Sequence, residues 1–475
     1  MPADWLKRTV PPDVWRHLFG IFHRECTGSI AALDIIRISH VCSWWRNIIN
    51  DAPELWTKVD IEARLYRNFF WTGPNAECLA LVLSNSRGLP LIMSLGTADR
   101  YHERSDLEPI KVFMRAINRA KTLRISTYFA HSLLVRNPRV LKEVKDALQP
   151  PLVLEKLVVK GGKSLNGAMH LLSNAWMDVP LLKSVSIQDG PCFEGSIYDA
   201  KSVRFPFHQL MILRLELHIE GLFHVLSSTP RLVTAAFFIT ALYGFNPRYA
   251  KFVRLDALRD LTAHAVSEDD EVEYDIDDFT QIQPIMRILE FIAAPRLTKL
   301  SLCFWGSTWR LNSFLKFVDV SSSPRIGDFH LDTMSGSQRD KIECLKRLPF
   351  LQRLHLTMNH HVSEWPEDCF IGEVFWAALQ EWDREAEEFV ICPYLEKVTV
   401  GYNAQHMSAW TSCATMVEER SRRGRDVELI IIDTHKLEGQ GDEDSSVLEL
   451  LFRLKNSGLK LTIQRSDRSG ESAGE

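Results

Sequence analysis

A short apolar phrase recurs along the chain beyond residue 120, with hydrophobic residues at its first, fourth and sixth positions. Leu154, Leu157 and Val159 form one copy, Leu182, Val185 and Ile187 the next, and Leu210, Leu213 and Leu215 a third. Successive heads stand 28 residues apart (182 − 154 and 210 − 182). Further copies open at Leu232, Leu258, Leu297, Ile326, Leu351 and Leu395 with less regular spacing, and Leu429 and Leu459 head two expected terminal strands. Proline often introduces the phrase, most clearly in Pro295–Leu302 (PRLTKLSL) and Pro349–Leu356 (PFLQRLHL). Successive side chains of a strand face opposite ways, so each phrase sends its leucines into a core and its intervening residues outward. One such unit buries too little by itself. Copies must therefore stack, and the chain is constrained to a strand-based array.

The segments between strands should supply the opposite wall. Helical patterning falls on Ser164–Trp176, Gln281–Ala294, Leu311–Val320, Ile371–Phe389 and Gln405–Arg422, and on Ser446–Asn456, which opens on a Ser446-x-x-Glu449 capping box and ends before Gly458. Residues 60–119 are less legible, with Glu77–Arg87 readable as a helix and Leu89–Leu95 as a first strand. Glu268–Asp278 (EDDEVEYDIDD) reads as a solvated loop, Gly439–Ser446 as a polar connection and Arg465–Glu475 as a disordered tail. The fold class expected is α/β. Residues 120–463 loosely resemble the divergent leucine-rich repeats that follow an F-box in many fungal proteins, with spacing inside the repeat period of about 20 to 29 residues. The Asn or Cys that usually follows the last leucine is mostly missing, so the resemblance implies an irregular right-handed α/β solenoid rather than a regular horseshoe.

At the amino end, Val10–Val59 is more apolar than some fifty residues can hide among themselves. Pro12 suits the first position of a helix and Asp13 complements its dipole. At about 100° per residue, Val14, Leu18, Ile21 and Phe22 share one side and Trp15 and Phe19 extend it, a wider arc than one core requires. A second helical run, Ala31–Ile38, carries Leu33, Ile35, Ile36 and Ile38. A third opens with Ser39 as expected N-cap and carries Val41, Trp45, Ile48 and Ile49 before Pro53 closes the segment.

This stretch resembles the F-box, the adaptor-docking module of cullin-RING ubiquitin ligases. Val10-Pro11-Pro12-Asp13-Val14 stands where the family has Leu-Pro-x-Glu-Ile, Leu18-Phe19 for Ile-Phe, Val41-Cys42-Ser43-Trp44-Trp45-Arg46 for Val-Cys-x-x-Trp-Arg, and Pro53-Glu54-Leu55-Trp56 for Pro-x-Leu-Trp. Val10 for Leu, Asp13 for Glu and a long connection over His23–Ile30 are the departures. The resemblance implies that Pro11, Pro12, Leu18, Phe19, Phe22, Val41, Cys42 and Trp45 face a Skp-type adaptor and, through it, a cullin. Ile35 and Ile36 stand for the second helix, their side unassigned. A plain three-helix cap on a larger domain would also explain the amphipathicity, but not two family motifs at family spacing.

The domain layout is then 1–60 F-box, 61–119 linking region or first solenoid units, 120–463 solenoid and 464–475 tail. By resemblance, the chain is a non-catalytic substrate receptor of an SCF-type ubiquitin ligase, or alternatively a scaffold outside the ligase. Outward strand residues Lys156, Val158, Ser186, Arg214, Glu216, Ser301, His355, Thr357 and Thr399 are the default contacts for an unknown target protein.

Other classes find little support. A net charge of −5 gives no electrostatic reason to expect nucleic acid. No apolar run is long enough to cross a bilayer and MPADWLKRTV has no signal-peptide core, so a membrane is not expected and the cytoplasm or nucleus is. Nine cysteines without a C-x-x-C pair read as reduced packing residues, Cys192 and Cys303 included. His360-His361 with Glu364 and Cys369 lacks a ligating face, so no metal and no cofactor are expected. Phosphate-binding glycine loops and the Gly-x-Ser-x-Gly elbow are absent from the sequence. The basic run Arg420–Arg425 reads as the dipole-favoured end of a helix.

Overall fold

The computed structural model describes residues 10–25, 31–63, 75–97, 108–126, 151–160, 179–188, 206–240, 250–266, 285–304, 309–332, 336–357, 371–401, 409–432 and 460–464. It is mixed α/β, and clusters into two compact units, Met1–Glu216 and Leu217–Glu475. No described helix is long and apolar enough to cross a membrane.

The first unit opens with three helices, α1 (Pro12–Glu25), α2 (Ala31–Ser39) and α3 (Ser43–Asn50), and a 3-10 turn at Pro53–Trp56. Pro12 does take the first helical position. Ser39, expected as an N-cap, instead ends α2 and turns its hydroxyl back onto Ile36 O at 2.6 Å. Cys42 caps α3, because its backbone is the extended residue there (φ −158°, ψ 164°) and its Sγ accepts from Trp45 N at 3.4 Å.

Parallel strands follow: β1 (Lys58–Ala63), β2 (Leu91–Thr97), β3 (Ala120–Ser126), β4 (Lys156–Lys160), β5 (Ser184–Gln188) and β6 (Ile212–His218), each pairing with the next. Pairing thus begins at Lys58, well before residue 120. Helices α4 (Ala76–Asn85), capped by Asn75, and α5 (Glu108–Arg115) connect the early strands.

The second unit holds α6 (Ile219–Ser228), β7 (Thr234–Thr240), β8 (Val253–Arg254), β9 (Asp260–Val266), β10 (Ile292–Ala293) and β11 (Lys299–Phe304). Next come α7 (Leu311–Val320), β12 (Asp328–Asp332), α8 (Gln338–Lys346), β13 (Arg353–Thr357) and α9 (Glu373–Gln380). It closes with β14 (Trp382–Asp383), β15 (Glu388–Phe389), β16 (Lys397–Gly401), α10 (Trp410–Arg422), β17 (Glu428–Ile432) and β18 (Leu461–Gln464). Parallel pairing runs β7–β9–β11–β12–β13–β16–β17–β18, with β8 and β10 paired separately.

The phrase read from sequence is a turn plus a strand. The heads from Leu154 to Leu395 are buried, and apart from Ile326, whose amide bonds Pro324 O, each closes an i−3 turn, as in Leu182 onto Val179 O, Leu232 onto Thr229 O, Leu297 onto Ala294 O, Leu351 onto Leu348 O and Leu395 onto Cys392 O; Leu459 lies outside the described residues. Proline fits because it pre-sets the second residue of such a turn. The residue after a head extends the ladder, with Gln352 N donating to Gly327 O and Glu396 N to Gln352 O at 2.8 to 2.9 Å, and Glu428 N continues it onto Glu396 O at 2.8 Å. Helix α7 faces this sheet, its Phe314 ring 5.8 Å from Phe329 of β12.

Three other expectations need correction. Leu429 does not head its strand: it pairs with Val398, and so fills the second apolar position. Within Gln281–Ala294 the described residues form a 3-10 turn, Ile285–Phe291, and then β10, where the β-branched Ile292 pairs with Val253. Ile371–Phe389 is helical only from Glu373 to Gln380. Asp383 Oδ1 then accepts from Glu385 N and Ala386 N, an Asx turn that joins β14 and β15 as an antiparallel hairpin. Arg420 stands in the basic last turn of α10 as expected, and there it is 0% exposed and donates to Leu379 O, Ile391 O and Cys392 O while lying 4.2 Å over the Phe389 ring. The predicted helices Ser164–Trp176 and Ser446–Asn456, the stretches Glu268–Asp278, Gly439–Ser446 and Arg465–Glu475, and the group His360, His361, Glu364 and Cys369 lie outside the described residues, as do Cys26 and Cys192.

Candidate functional site

The amino-terminal helices sort their apolar residues into two sets. One is internal. Phe19 is 5% exposed, with ring centroids 5.8 Å from Trp15 and 5.2 Å from Trp45, and Trp15 and Trp45 are 4.9 Å apart. Ile35, Ile48 and Ile49 are buried, and the buried Trp56 donates through Nε1 to Ile49 O at 2.9 Å. Helix α2 packs on β1, and Lys58 Nζ donates to His23 O at 2.6 Å. Burial, and secondarily Lys58, pushes the His23 imidazole down to about 4.

The other set faces out. Val14, Leu18 and Phe22 recur every four residues along α1 and remain 45%, 47% and 42% exposed, and Val41 before α3 is 64% exposed. Pro11 and Pro12 are exposed beside them in sequence, while Cys42 and Trp45 are half-buried. Phe19 therefore leaves the partner-facing set read from sequence, since its own tryptophans enclose it. Ile35, whose side was open, turns inward, and Ile36 is half-buried.

The outward face of the strands is more enclosed than alternation alone suggested. Val158, Ser186, Ser301 and Thr399 are each below 9% exposed, so none of them is free to meet a target. In a parallel sheet, neighbours about 4.8 Å apart shield one another's small side chains. Lys156 and Arg214 are exposed, His355 and Thr357 are half-buried, and the side chain of Glu216 lies outside the described residues.

One residue was missed. His330 stands at the fifth position of the copy headed by Ile326, in register between Ser301 and His355. The alternation rule applied to that copy would have found it. Its Nδ1 lies 3.1 Å from Ser301 Oγ and its Nε2 3.2 Å from Thr357 Oγ1, and its ring is 4.0 Å from that of His355. Burial first, then His355, His264 and Lys299, push it down to about 3, so the ring is neutral and donates one hydroxyl bond while accepting the other. A serine beside an imidazole is the layout of an activated nucleophile. Here Ser301 is 4% exposed, too enclosed to meet a substrate, and the arrangement acts as a cross-strand clasp.

Among the described residues, no group of three His, Cys, Asp or Glu side chains could hold a metal ion, and six cysteines are free. Cys303 is 4% exposed. No protein-family model matches the chain, and no curated protein matches it.

Proposed function

We propose that this chain is the substrate-receptor subunit of an SCF-type cullin-RING ubiquitin ligase. Its amino-terminal helices dock a Skp-type adaptor, and an irregular leucine-rich-repeat solenoid over the remainder binds a target protein. The observation that carries the reading is the exposed row Val14, Leu18 and Phe22, with Val41, on a three-helix unit whose other described apolar side chains are buried or half-buried. Leu18, Phe22 and Val41 are among the positions the F-box resemblance assigns to the adaptor, and Val14 extends their row. The receptor performs no covalent step itself. It holds a target near a ubiquitin-charged enzyme and so raises the effective concentration of the target's lysines.

A second reading, in which the helices only cap a scaffold, is favoured by the packing of α2 on β1. Capping accounts for Ile35, Ile48, Ile49 and Trp56 but leaves the exposed row without a use. The deciding experiment is co-purification of the intact chain from cytoplasmic and nuclear extracts, followed by identification of its companions. A Skp-type adaptor together with a cullin supports the receptor. Recovery of neither, under conditions where a known receptor of this type brings down both, overturns it.

A further inference from the structure

In the second unit, the residue just before each head leucine occupies the third place of its turn, and its side chain stands out from the amino-terminal edge of the parallel sheet. In strand order these residues include Arg231, Arg296, Arg325 (before Ile326), Phe350 and Tyr394, and Arg425, three residues before Glu428 as Tyr394 is before Lys397, continues the row although no apolar head follows it; all six are exposed. Ala257 interrupts the row. Every charged member is a cation, although the chain as a whole carries a net charge of −5.

The members lie against one another. The Arg325 guanidinium is 5.0 Å from the Phe350 ring centre, Phe350 and Tyr394 are parallel at 6.4 Å, and Arg425 is 5.8 Å from Tyr394. Beside Phe350 opens a cavity of about 430 Å³ lined by Lys299, Arg325, Arg353, Gln352, Phe350 and Tyr394, among others. Beside it, Asp328 pairs with Arg353 at 3.1 Å and Asp260 stands in register with Lys299, so the three lining cations meet two carboxylates and one positive charge is left over.

We propose that this ridge is a binding site for an acidic peptide segment of a partner protein. A carboxylate of the segment is seated by Lys299 and Arg325, and an adjacent aromatic or aliphatic side chain lies on Phe350 and Tyr394. Rings flanked by guanidinium groups suit an anionic chain with apolar residues interspersed. The same cations and rings would suit a nucleic-acid strand, but Asp328 and Glu428 already hold Arg353 and Lys397 in ion pairs, so the surplus charge is local and matches a single carboxylate rather than the continuous basic track that a phosphate backbone needs. The proposal rests on reading this unit as target-binding and is independent of the adaptor.

The test measures fluorescence anisotropy on the full chain without adaptor, using a labelled ten-residue peptide alternating glutamate and phenylalanine, its glutamine counterpart and a single-stranded oligonucleotide. The glutamate peptide should bind, and binding should weaken as salt rises. Lys299→Gln with Arg325→Gln should weaken it roughly tenfold, and Phe350→Ala several-fold, while Lys346→Gln on the helical wall leaves it unchanged. All four positions are at the surface or in turns, and circular dichroism verifies that each variant is folded. No binding of the glutamate peptide, equal binding of the glutamine peptide, tighter binding of the oligonucleotide, or indifference to the double variant would each overturn the proposal. None of these results bears on adaptor docking, which co-purification judges separately.

Discussion

Neighbouring residues on α1 should respond to truncation in opposite ways. Phe19 is enclosed at 5% exposure between Trp15 and Trp45, so Phe19→Ala removes a buried ring and leaves a cavity, at a cost of about 3 to 5 kcal/mol. Leu18 and Phe22 keep 47% and 42% of their surface, and truncating them should cost the fold less than about 1 kcal/mol each. Their remaining surface is what an adaptor would cover. Burying a whole Leu or Phe side chain is worth about 1.5 to 3 kcal/mol, so the uncovered halves represent about 1 kcal/mol each. The double variant Leu18→Ala with Phe22→Ala should therefore weaken adaptor binding roughly 30-fold while residues 10–59 keep their hydrogen-exchange protection. In Phe19→Ala that protection should fall. Titration calorimetry with purified adaptor reads the first effect and exchange mass spectrometry the second. Should the double variant bind as the native chain does, or should Phe19→Ala leave protection untouched, the division of α1 into an inner and an outer face is wrong.

Arg420→Met leaves the carbonyls of Leu379, Ile391 and Cys392 without their donor, and should lower stability by about 3 to 5 kcal/mol in urea titration; a loss under about 1 kcal/mol would show that water replaces the guanidinium. His330 is held at about 3, below its unfolded value near 6.5, so the folded state resists a proton that the unfolded state accepts. The stability at stake is intact above about 6.5 and is lost as pH falls towards 3, and His330→Gln should flatten the pH dependence of the urea midpoint across that window. An unchanged slope would mean that the ring is better solvated than its surroundings suggest. Burial raises the thiol of Cys392 to about 12 and raises those of Cys344 and Cys413 well above their ordinary range, so a thiol reagent should modify these three only on unfolding. Asn75→Ala removes the acceptor for Cys78 N at 2.7 Å and should cost about 1 kcal/mol, read as loss of exchange protection in α4.

Much of the architecture was legible because its determinants are local and repeated. A proline, a turn and three spaced apolar residues are enough to mark a strand, and the copies from Leu154 to Leu395 fall on strands of the parallel pairing. Leu311–Val320 matched α7 to the residue because its burial pattern is a single helical stripe. Ile371–Phe389 did not, since apolar content alone cannot distinguish a continuous helix from a helix followed by a hairpin, and the Asp383 turn is a competition settled by side-chain hydrogen bonds. The candidate docking residues were legible as apolar, but not as inner or outer.

The residue order by itself determined which segments could be strands, which end of the chain carries surplus apolar side chains, and that arginines and aromatics recur before the head leucines. Tertiary structure decided what those side chains meet. Phe19 and Leu18 are adjacent in sequence and equally hydrophobic, yet one is closed in by Trp15 and Trp45 and the other is left open, because exposure depends on the crossing of three helices. Arg420 likewise stands in one basic run with Arg422 and Arg423, but three carbonyls from two distant segments converge on it. A one-dimensional pattern records the period of a chain, whereas solvation, charge pairing and contact are set by segments that only folding brings within a few ångströms.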